Sequence, residues 1–259
     1  MARVRISWRN GFLPAIIIIA LVMRFYYRVE GWWWYALLLV PLAFYIFVIP
    51  ALIQKKLFSL DRQIQRMLSQ GREKDILPLC RRQFLLYFTA PGPAFNARLG
   101  LAHAAVGEHQ KAARCYRNAL EDGSLTRLEK MPLELGLANA LYHLSDDAGA
   151  EKIYMHYYAE GTLLPEGAHN LAHIMMRNGK SMKKSLALLD RASAGPLTPF
   201  LERQIGLTRM EAAIVSDNAA GAEEIRKTIN VPDIDPESAA RFDKLSKKLK
   251  GLNTSDTND

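Results

Sequence analysis

The chain of 259 residues contains only two cysteines and lacks the motifs that most often indicate a catalytic or metal-binding site. HExxH, GxSxG, a glycine-rich phosphate loop and a paired Cys/His nucleophile are all absent from the sequence. Cys80 and Cys115 have no CxxC or zinc-ligand spacing, so we interpret them as small buried residues, with a disulfide or a reactive thiol as the alternative. The sequence therefore predicts no catalytic residues, no metal site and no cofactor, and we expect that the protein is not an enzyme.

Acidic residues are almost missing from the N-terminal part of the chain. Residues 1–56 contain seven lysines or arginines and a single acid, Glu30, which together amount to +6 of the total charge of +8 and leave +2 for all later residues. A nucleic-acid-binding domain would carry its positive charge on a folded basic face. Here most of the charge flanks an apolar segment, so we expect no nucleic acid partner.

Two long apolar stretches lie between these charges. Gly11 to Met23 has no charged residue, and Trp32 to Ile53 forms a second uncharged stretch of 22 residues. A helix of about 20 apolar residues crosses a hydrocarbon core of roughly 30 Å. The three tryptophans that begin the second stretch are amphipathic rings of the kind that favour the headgroup level. We therefore predict a membrane-anchoring hairpin over residues 1–56, with spans at about 11–28 and 32–53 and the lipid bilayer as its partner.

The charges that flank the hairpin predict its orientation. Three arginines precede the first span and Lys55 and Lys56 follow the second, whereas the turn has Arg24 and Arg28 offset by Glu30. Positive residues stay on the cytoplasmic side, so we predict a multi-pass protein of the cell inner (plasma) membrane with both termini cytoplasmic. Two alternatives remain open. The first stretch is a signal peptide, although no small-x-small cleavage site follows it, or the hairpin enters one leaflet without crossing because that stretch is short.

Residues 57–250 predict a separate all-α domain, because apolar residues recur at helical spacing between Gly, Asn-Gly and Pro-Gly breaks. The clearest stretch is "PAFNARLGLAHAAVGEHQKAARCYRNALEDG", residues 93–123. Leu99-Gly100 is followed by a turn at Gly107 and then by Ala112, Tyr116 and Ala119. The small residues allow two antiparallel helices to approach closely, and Tyr116 fills the gap between them. This pattern resembles the tetratricopeptide repeat (TPR), although Asn96 stands where the family usually has Trp and the closing Pro is missing.

Looser copies of the same pattern surround this repeat. They begin at Leu135-Gly136 and Leu171-Ala172 downstream, a degenerate unit around Gly71 lies upstream, and a last pair occupies residues 201–229. An amphipathic helix after Asp235 suits the capping helix of a solenoid, and residues 251–259 read as a disordered tail. The resemblance implies a TPR-like α-solenoid joined to a two-span membrane anchor.

In TPR proteins the first helix of each pair lines a concave groove that usually holds a peptide. The resemblance implies a protein or peptide partner here, with an apolar stretch and an acidic or hydrogen-bonding end. Chaperone-binding members grip a carboxylate with Lys and Asn where this chain has Ala97 and Leu101, so we do not expect that activity. The implied groove positions are Ala97, Leu101, Ala104, Leu133, Leu137, Ala140, Glu166, His169, His173, Met176 and Arg177.

These expectations favour a membrane-tethered scaffold that recruits a cytoplasmic partner or aids assembly of a membrane complex. The alternative is a repeat-domain membrane protein with a small-molecule or metal-linked role, as in some two-span repeat proteins associated with tetrapyrrole pathways. His169 and His173 lie four residues apart, a spacing that can chelate a metal. A closed zinc site needs four ligands and no third is evident, so a polar groove face is the simpler interpretation.

Overall fold

The computed structural model describes residues 18, 21, 22, 24, 25, 39, 40, 42–83, 86, 90–123, 125–229 and 236–255. Every regular element in that part of the chain is helical, so the prediction of an all-α fold is confirmed. The helices whose bounds are described are α1 (Ile49–Ser69), α2 (Ile76–Arg82), α3 (Gly92–Ala105), α4 (His109–Leu120), α5 (Arg127–His143), α6 (Asp147–Ala159), α7 (Pro165–Arg177), α8 (Met182–Ser193), α9 (Pro199–Val215), α10 (Ala219–Thr228) and α11 (Pro236–Ser255).

Most of the predicted first membrane span, 11–28, and residues 32–38 and 41 of the predicted second span, 32–53, lie outside the described residues. Within the described residues, no helix combines the length and the apolar character needed to cross a membrane. A π-helical segment, Phe44–Val48, leads directly into α1, which passes through Lys56 without a break. Residues 49–53 of the predicted second span and residues 57–69 of the predicted repeat domain therefore belong to one helix.

The chain divides into two compact units, Met1–Gly136 and Leu137–Asp259, and each is described by itself. In the first unit, α1 buries Leu57, Leu60 and Ile64, which share one face because they are three and four residues apart. These side chains belong to a core that includes Cys80 of α2. Arg98 of α3 donates to both carboxylate oxygens of Asp61 on α1, with Nε 2.7 Å from Oδ1. Apolar burial and this ion pair therefore hold the part of α1 after residue 56 against α2 and α3.

Cysteine serves packing in this core. Cys80 is fully buried and Cys115 of α4 is half-buried, and neither is part of a disulfide. Burial raises the pKa of the Cys80 thiol to about 11, so the sulfur stays protonated and chemically quiet at neutral pH.

One turn recurs along the chain at nearly constant spacing. The left-handed backbone conformation occurs at six described positions. Five of them, Gly71, Gly107, Ser145, Gly179 and Asp217, lie 34 to 38 residues apart, and the sixth is Gly161. At each, its own N–H donates to the carbonyl three residues earlier, and the next N–H donates to the carbonyl five residues earlier. This is the Schellman arrangement that ends an α-helix. The five regularly spaced turns separate α1 from α2, α3 from α4, α5 from α6, α7 from α8, and α9 from α10, and the turn at Gly161 separates α6 from α7.

Small residues mark the closest helix contacts inside each unit. In the first unit, the ring of Tyr116 on α4 lies against Gly100 of α3 and Gly136 of α5, where an added Cβ would come within 2.8 and 2.6 Å of ring carbons. In the second unit, Ala172 of α7 and Ala222 of α10 are fully buried. The helices can approach this closely because no larger side chain stands between them.

The second unit ends with α11, which packs against α9 and α10. Phe242, Leu245 and Leu249 of α11 join Met210 of α9 in a buried cluster, and Leu252 packs against the same cluster. The helix continues to Ser255, into the segment predicted as a disordered tail. Partial burial of Leu252 against the cluster stabilises helical structure beyond residue 250.

Candidate functional site

An apolar cavity lies between α3 and α5 in the first unit, and we call it the α3–α5 cavity. Its volume is about 730 Å³, within the range of ligand pockets. Three of the predicted groove residues line it, namely Ala97 and Leu101 of α3 and Leu133 of α5. Ala104, one turn farther along α3, is half-buried and is not among the lining residues. The other lining residues are Pro91, Pro93, Ala94, Tyr116, Asp122, Leu125, Leu128, Glu129 and Pro132.

The chain forms this cavity because both helices begin beside it. Pro91 and Pro93 flank the start of α3, where a proline fits a helix N-terminus. Thr126 precedes α5, and its N–H and hydroxyl donate to Glu129 Oε2 at 2.8 and 2.7 Å. These two hydrogen bonds lower the pKa of Glu129. The Glu129 carboxylate therefore caps the N-terminus of α5. Most of the other residues that line the cavity are apolar.

Two leucines of the cavity wall remain open to solvent. The side chain of Leu128 is 85% exposed and that of Leu101 is 36% exposed. Exposed apolar surface that borders a concave pocket marks a site where another apolar group can be buried. The α3–α5 cavity can therefore accept an apolar side chain or a short apolar segment.

The remaining predicted groove residues lie in the second unit and divide by burial. Leu137 and Ala140 of α5 are buried in the core of that unit. On α7, Glu166 is exposed, Met176 is half-buried and the other three positions join a network of polar side chains. We call this network the polar cluster, and its members are Asn139, Tyr142, Asp147, Tyr154, His169, Asn170, His173, Arg177, Gln204, Thr208, Glu211, Ser238 and Arg241.

His169 is a buried member of the polar cluster, at 4% exposure. The side-chain nitrogen of Asn170 donates to Asn139 Oδ1 at 3.2 Å, so the Asn170 oxygen faces His169 and accepts from Nδ1 at 3.1 Å. The other ring nitrogen, Nε2, lies 2.9 Å from Thr208 Oγ1 of α9. Burial lowers the pKa of His169 to about 4. The imidazole is therefore neutral at physiological pH, with both nitrogens already in hydrogen bonds.

Arg241 of α11 connects the cluster to an acid on α9. Its guanidinium donates to Glu211 Oε2 at 2.7 Å and to Thr208 Oγ1 at 3.1 Å. His173, whose Nε2 lies 3.7 Å from the same carboxylate, and Arg241 together lower the pKa of Glu211 to about 2. Glu211 is therefore ionised throughout the physiological range and is neutralised inside the unit.

The other end of the cluster contains the positions that we expected to meet a ligand. His173 Nδ1 lies 2.6 Å from the hydroxyl of Tyr142 on α5. Arg177 donates through Nε and Nη2 to both oxygens of Asp147 on α6, with Nε 2.9 Å from Oδ2. The polar groups of these side chains therefore form hydrogen bonds with neighbouring helices. Recognition of an acidic end by Arg177 stays a prediction that would require the Asp147 pair to open.

No group of three or more His, Cys, Asp or Glu side chains in the described ranges has the geometry to hold a metal ion. The two histidines with chelating spacing, His169 and His173, have nearly parallel rings with centroids 6.4 Å apart.

The sequence interpretation missed the partners contributed by other helices. Thr208 and Glu211 of α9 lie 39 and 38 residues from the α7 residues that they approach, and Arg241 of α11 lies 30 residues from Glu211. One signal was available, because Asn139, Asn170 and Gln204 are polar residues that recur in successive first helices at 31 and 34 residues. A polar residue repeated at the repeat period indicates a polar ladder across helices.

Comparison of the chain with models of protein families, with curated proteins and with solved structures found no match.

Proposed function

We propose that this chain is a membrane-tethered, TPR-like adaptor that recruits a cytoplasmic protein through the α3–α5 cavity. The observation that carries the proposal is that cavity, since it joins apolar walls to the exposed leucines Leu101 and Leu128. The occupant that fits it is an apolar segment of a partner protein. The proposal includes attachment to the inner membrane through an N-terminal hairpin, with both termini cytoplasmic.

The spacing of the turns supports the TPR-like part of the proposal. TPR units repeat every 34 residues, and five of the six Schellman turns, those between α1 and α2, α3 and α4, α5 and α6, α7 and α8, and α9 and α10, lie 34 to 38 residues apart. The contact of Tyr116 with Gly100 and Gly136 supports the same register, because those residues occupy the aromatic and small positions of the repeat pattern.

The exposed apolar side chains before α1 support the membrane part. Phe25, Val40 and Phe47 are 77%, 66% and 73% exposed, and Leu52 on the first turn of α1 is 51% exposed. Leaving such side chains in water costs roughly 1.5–3 kcal/mol each relative to burial. A bilayer would cover them, in agreement with the uncharged stretch from Trp32 to Ile53 and the basic residues on both flanks.

The adaptor role is tested by recovering partners from native membranes with the full chain. Leu101→Asp and Leu128→Asp each place a charge in the α3–α5 cavity, and we expect at least a tenfold loss of the captured protein. Leu128 is 85% exposed and tolerates a charge, so Leu128→Asp should keep wild-type helicity, and circular dichroism checks the fold of Leu101→Asp, whose position is 36% exposed. Leu186→Asp is the matched control, because Leu186 is similarly exposed, at 38%, but lies on α8 in the second unit. Equal recovery by all variants would place recognition outside the cavity.

Orientation is tested separately with reporter fusions. An alkaline phosphatase fused after Asp259 should be inactive, and one inserted near Gly31 should be active, because the enzyme works only outside the cytoplasm. An active C-terminal fusion would reverse the orientation and move the adaptor to the other compartment.

A further inference from the structure

A second cavity of the first unit lies beside the N-terminal half of α1. Its volume is about 480 Å³, which is within the size range of small-ligand pockets. Ile49, Leu52 and Ile53 of α1 form its apolar wall together with the buried Leu86. The two lysines and the serine that complete its lining lie farther along α1, so the cavity has an apolar part and a polar end.

The polar end is positively charged. Lys55, Lys56 and Ser59 contribute it, and neither lysine forms an ion pair within the described part of the chain. The next acid along α1, Asp61, is held by Arg98 and does not compensate them. Ser59 Oγ accepts from Gln63 at 3.4 Å, which leaves its own hydrogen to donate. Two ammonium groups and a hydroxyl next to each other favour an anionic, oxygen-rich group.

The apolar part continues into the exposed apolar side chains that precede α1. Phe44, Phe47 and Val48 are all exposed on the segment that leads to Ile49. A molecule that filled the cavity and covered this segment would need an apolar chain attached to a compact anionic head.

We propose that this cavity binds one anionic phospholipid, with an acyl chain along Ile49, Leu52 and Leu86 and the phosphate beside Lys55, Lys56 and Ser59. The inference rests on the proposed membrane attachment and deepens it, since it names the lipid class that holds α1 at the membrane surface. Lysines next to a membrane attract anionic headgroups, and their apolar stems can cover the chain below. A zwitterionic lipid lacks the net charge that the two lysines compensate, so charge distinguishes the lipid classes.

The test is the binding of short-chain lipids to the full purified chain, counted by native mass spectrometry and titrated by calorimetry. The probes are dioctanoyl-phosphatidylglycerol, dioctanoyl-phosphatidylcholine, which has no net charge, and glycerol 3-phosphate, which has no acyl chain. We expect one phosphatidylglycerol per chain with at least tenfold tighter binding than either of the other probes. Equal binding of the two lipids, or equal binding of glycerol 3-phosphate, would overturn the proposal.

Variants locate the site. The double variant Lys55→Gln/Lys56→Gln removes the charge, and Leu52→Trp fills the cavity without changing the charge; each should weaken phosphatidylglycerol binding at least tenfold. The control Lys183→Gln/Lys184→Gln removes an adjacent pair of exposed lysines from α8 and should bind like wild type. Loss of binding in the lysine variant together with wild-type binding in Leu52→Trp would reduce the site to surface electrostatics and overturn the cavity. Wild-type binding of phosphatidylglycerol by the lysine variant would overturn the whole proposal.

The lipid experiment is independent of the tether. Fractionation of cells shows whether the chain resides in the membrane, and short-chain lipids can be offered to the chain from either fraction. A chain that is found in the membrane but does not bind phosphatidylglycerol would remove this inference and leave the tether. A chain that binds the lipid but is found in the soluble fraction would remove the tether and leave the site.

Discussion

The contact between Tyr116 and the two helix glycines makes a sharp prediction about Gly136. An alanine at this position would place its Cβ 2.6 Å from Tyr116 Cζ and 2.9 Å from Cε1. Carbon atoms pack favourably at about 3.5–4.0 Å, so the ring or α5 must shift. The Tyr116 side chain is 6% exposed and also contacts Gly100 of α3, so little free space is available for a shift.

Two opposing effects set the size of the change in stability. Alanine is better than glycine in a helix interior by about 1 kcal/mol, whereas overpacking a tight contact costs about 1–3 kcal/mol. Gly136→Ala should therefore lower the free energy of unfolding by up to about 2 kcal/mol. The matched control is Gly251→Ala in helix α11, where nothing lies within 4 Å of the new Cβ. The control should be more stable than wild type by about 1 kcal/mol, because it keeps only the helix-propensity gain.

Urea unfolding followed by circular dichroism measures both variants, and hydrogen exchange of α3–α5 localises the effect. A double-mutant cycle with Tyr116→Leu isolates the contact, because Gly136→Ala should cost less once the ring is gone. If Gly136→Ala and Gly251→Ala change stability equally, or if the cycle shows no coupling, the Tyr116 packing described above is wrong.

Two further predictions concern the polar cluster. The His169 pKa of about 4 lies below its ordinary value of 6.5, so the unfolded chain binds the extra proton between these values. The contribution of neutral His169 to the free energy of unfolding is complete above pH 6.5 and is lost as the pH falls, by about 2 kcal/mol between pH 7 and 5. His169→Gln should therefore flatten the pH dependence of urea unfolding, whereas the exposed His156→Gln should not. Arg241→Met removes the guanidinium that pairs with the half-buried Glu211 carboxylate and should cost about 1–3 kcal/mol. Arg209→Met breaks an exposed ion pair and should cost less than 1 kcal/mol, so equal losses from the two arginine variants would contradict a structural role for the cluster.

The polar cluster also bears on how a binding surface is inferred from a repeat pattern. Matching positions place His169, His173 and Arg177 on the face that repeat proteins present to ligands. Their polar atoms instead bond to Thr208, Tyr142 and Asp147 from other helices. Buried polar groups need hydrogen-bond partners, and other helices of the second unit provide them. In the α3–α5 cavity, by contrast, Leu101 of the predicted groove and Leu128 remain exposed to solvent.

Local sequence determined the helical class and several of the turns. Apolar residues at three- and four-residue spacing produce one buried face, as in α1 with Leu57, Leu60 and Ile64. Gly107 and Gly179 were recognisable as turns because glycine enters the left-handed region at little cost. The pattern of small and aromatic residues around Gly100 and Tyr116 was also predictable, because two helices can approach closely only where the residues between them are small.

Tertiary structure decided the features that depend on residues distant in the chain. Ser145 and Asp217 adopt the same left-handed turn as the glycines, although a side chain makes this conformation more costly than it is for glycine. The α3–α5 cavity arises from two helices that start about 35 residues apart. His169 is neutral because the fold buries it, and the partner of its Nε2, Thr208, comes from 39 residues later in the chain. Periodicity specifies which face of a helix is buried, but the neighbour that covers that face is set by contacts across the fold.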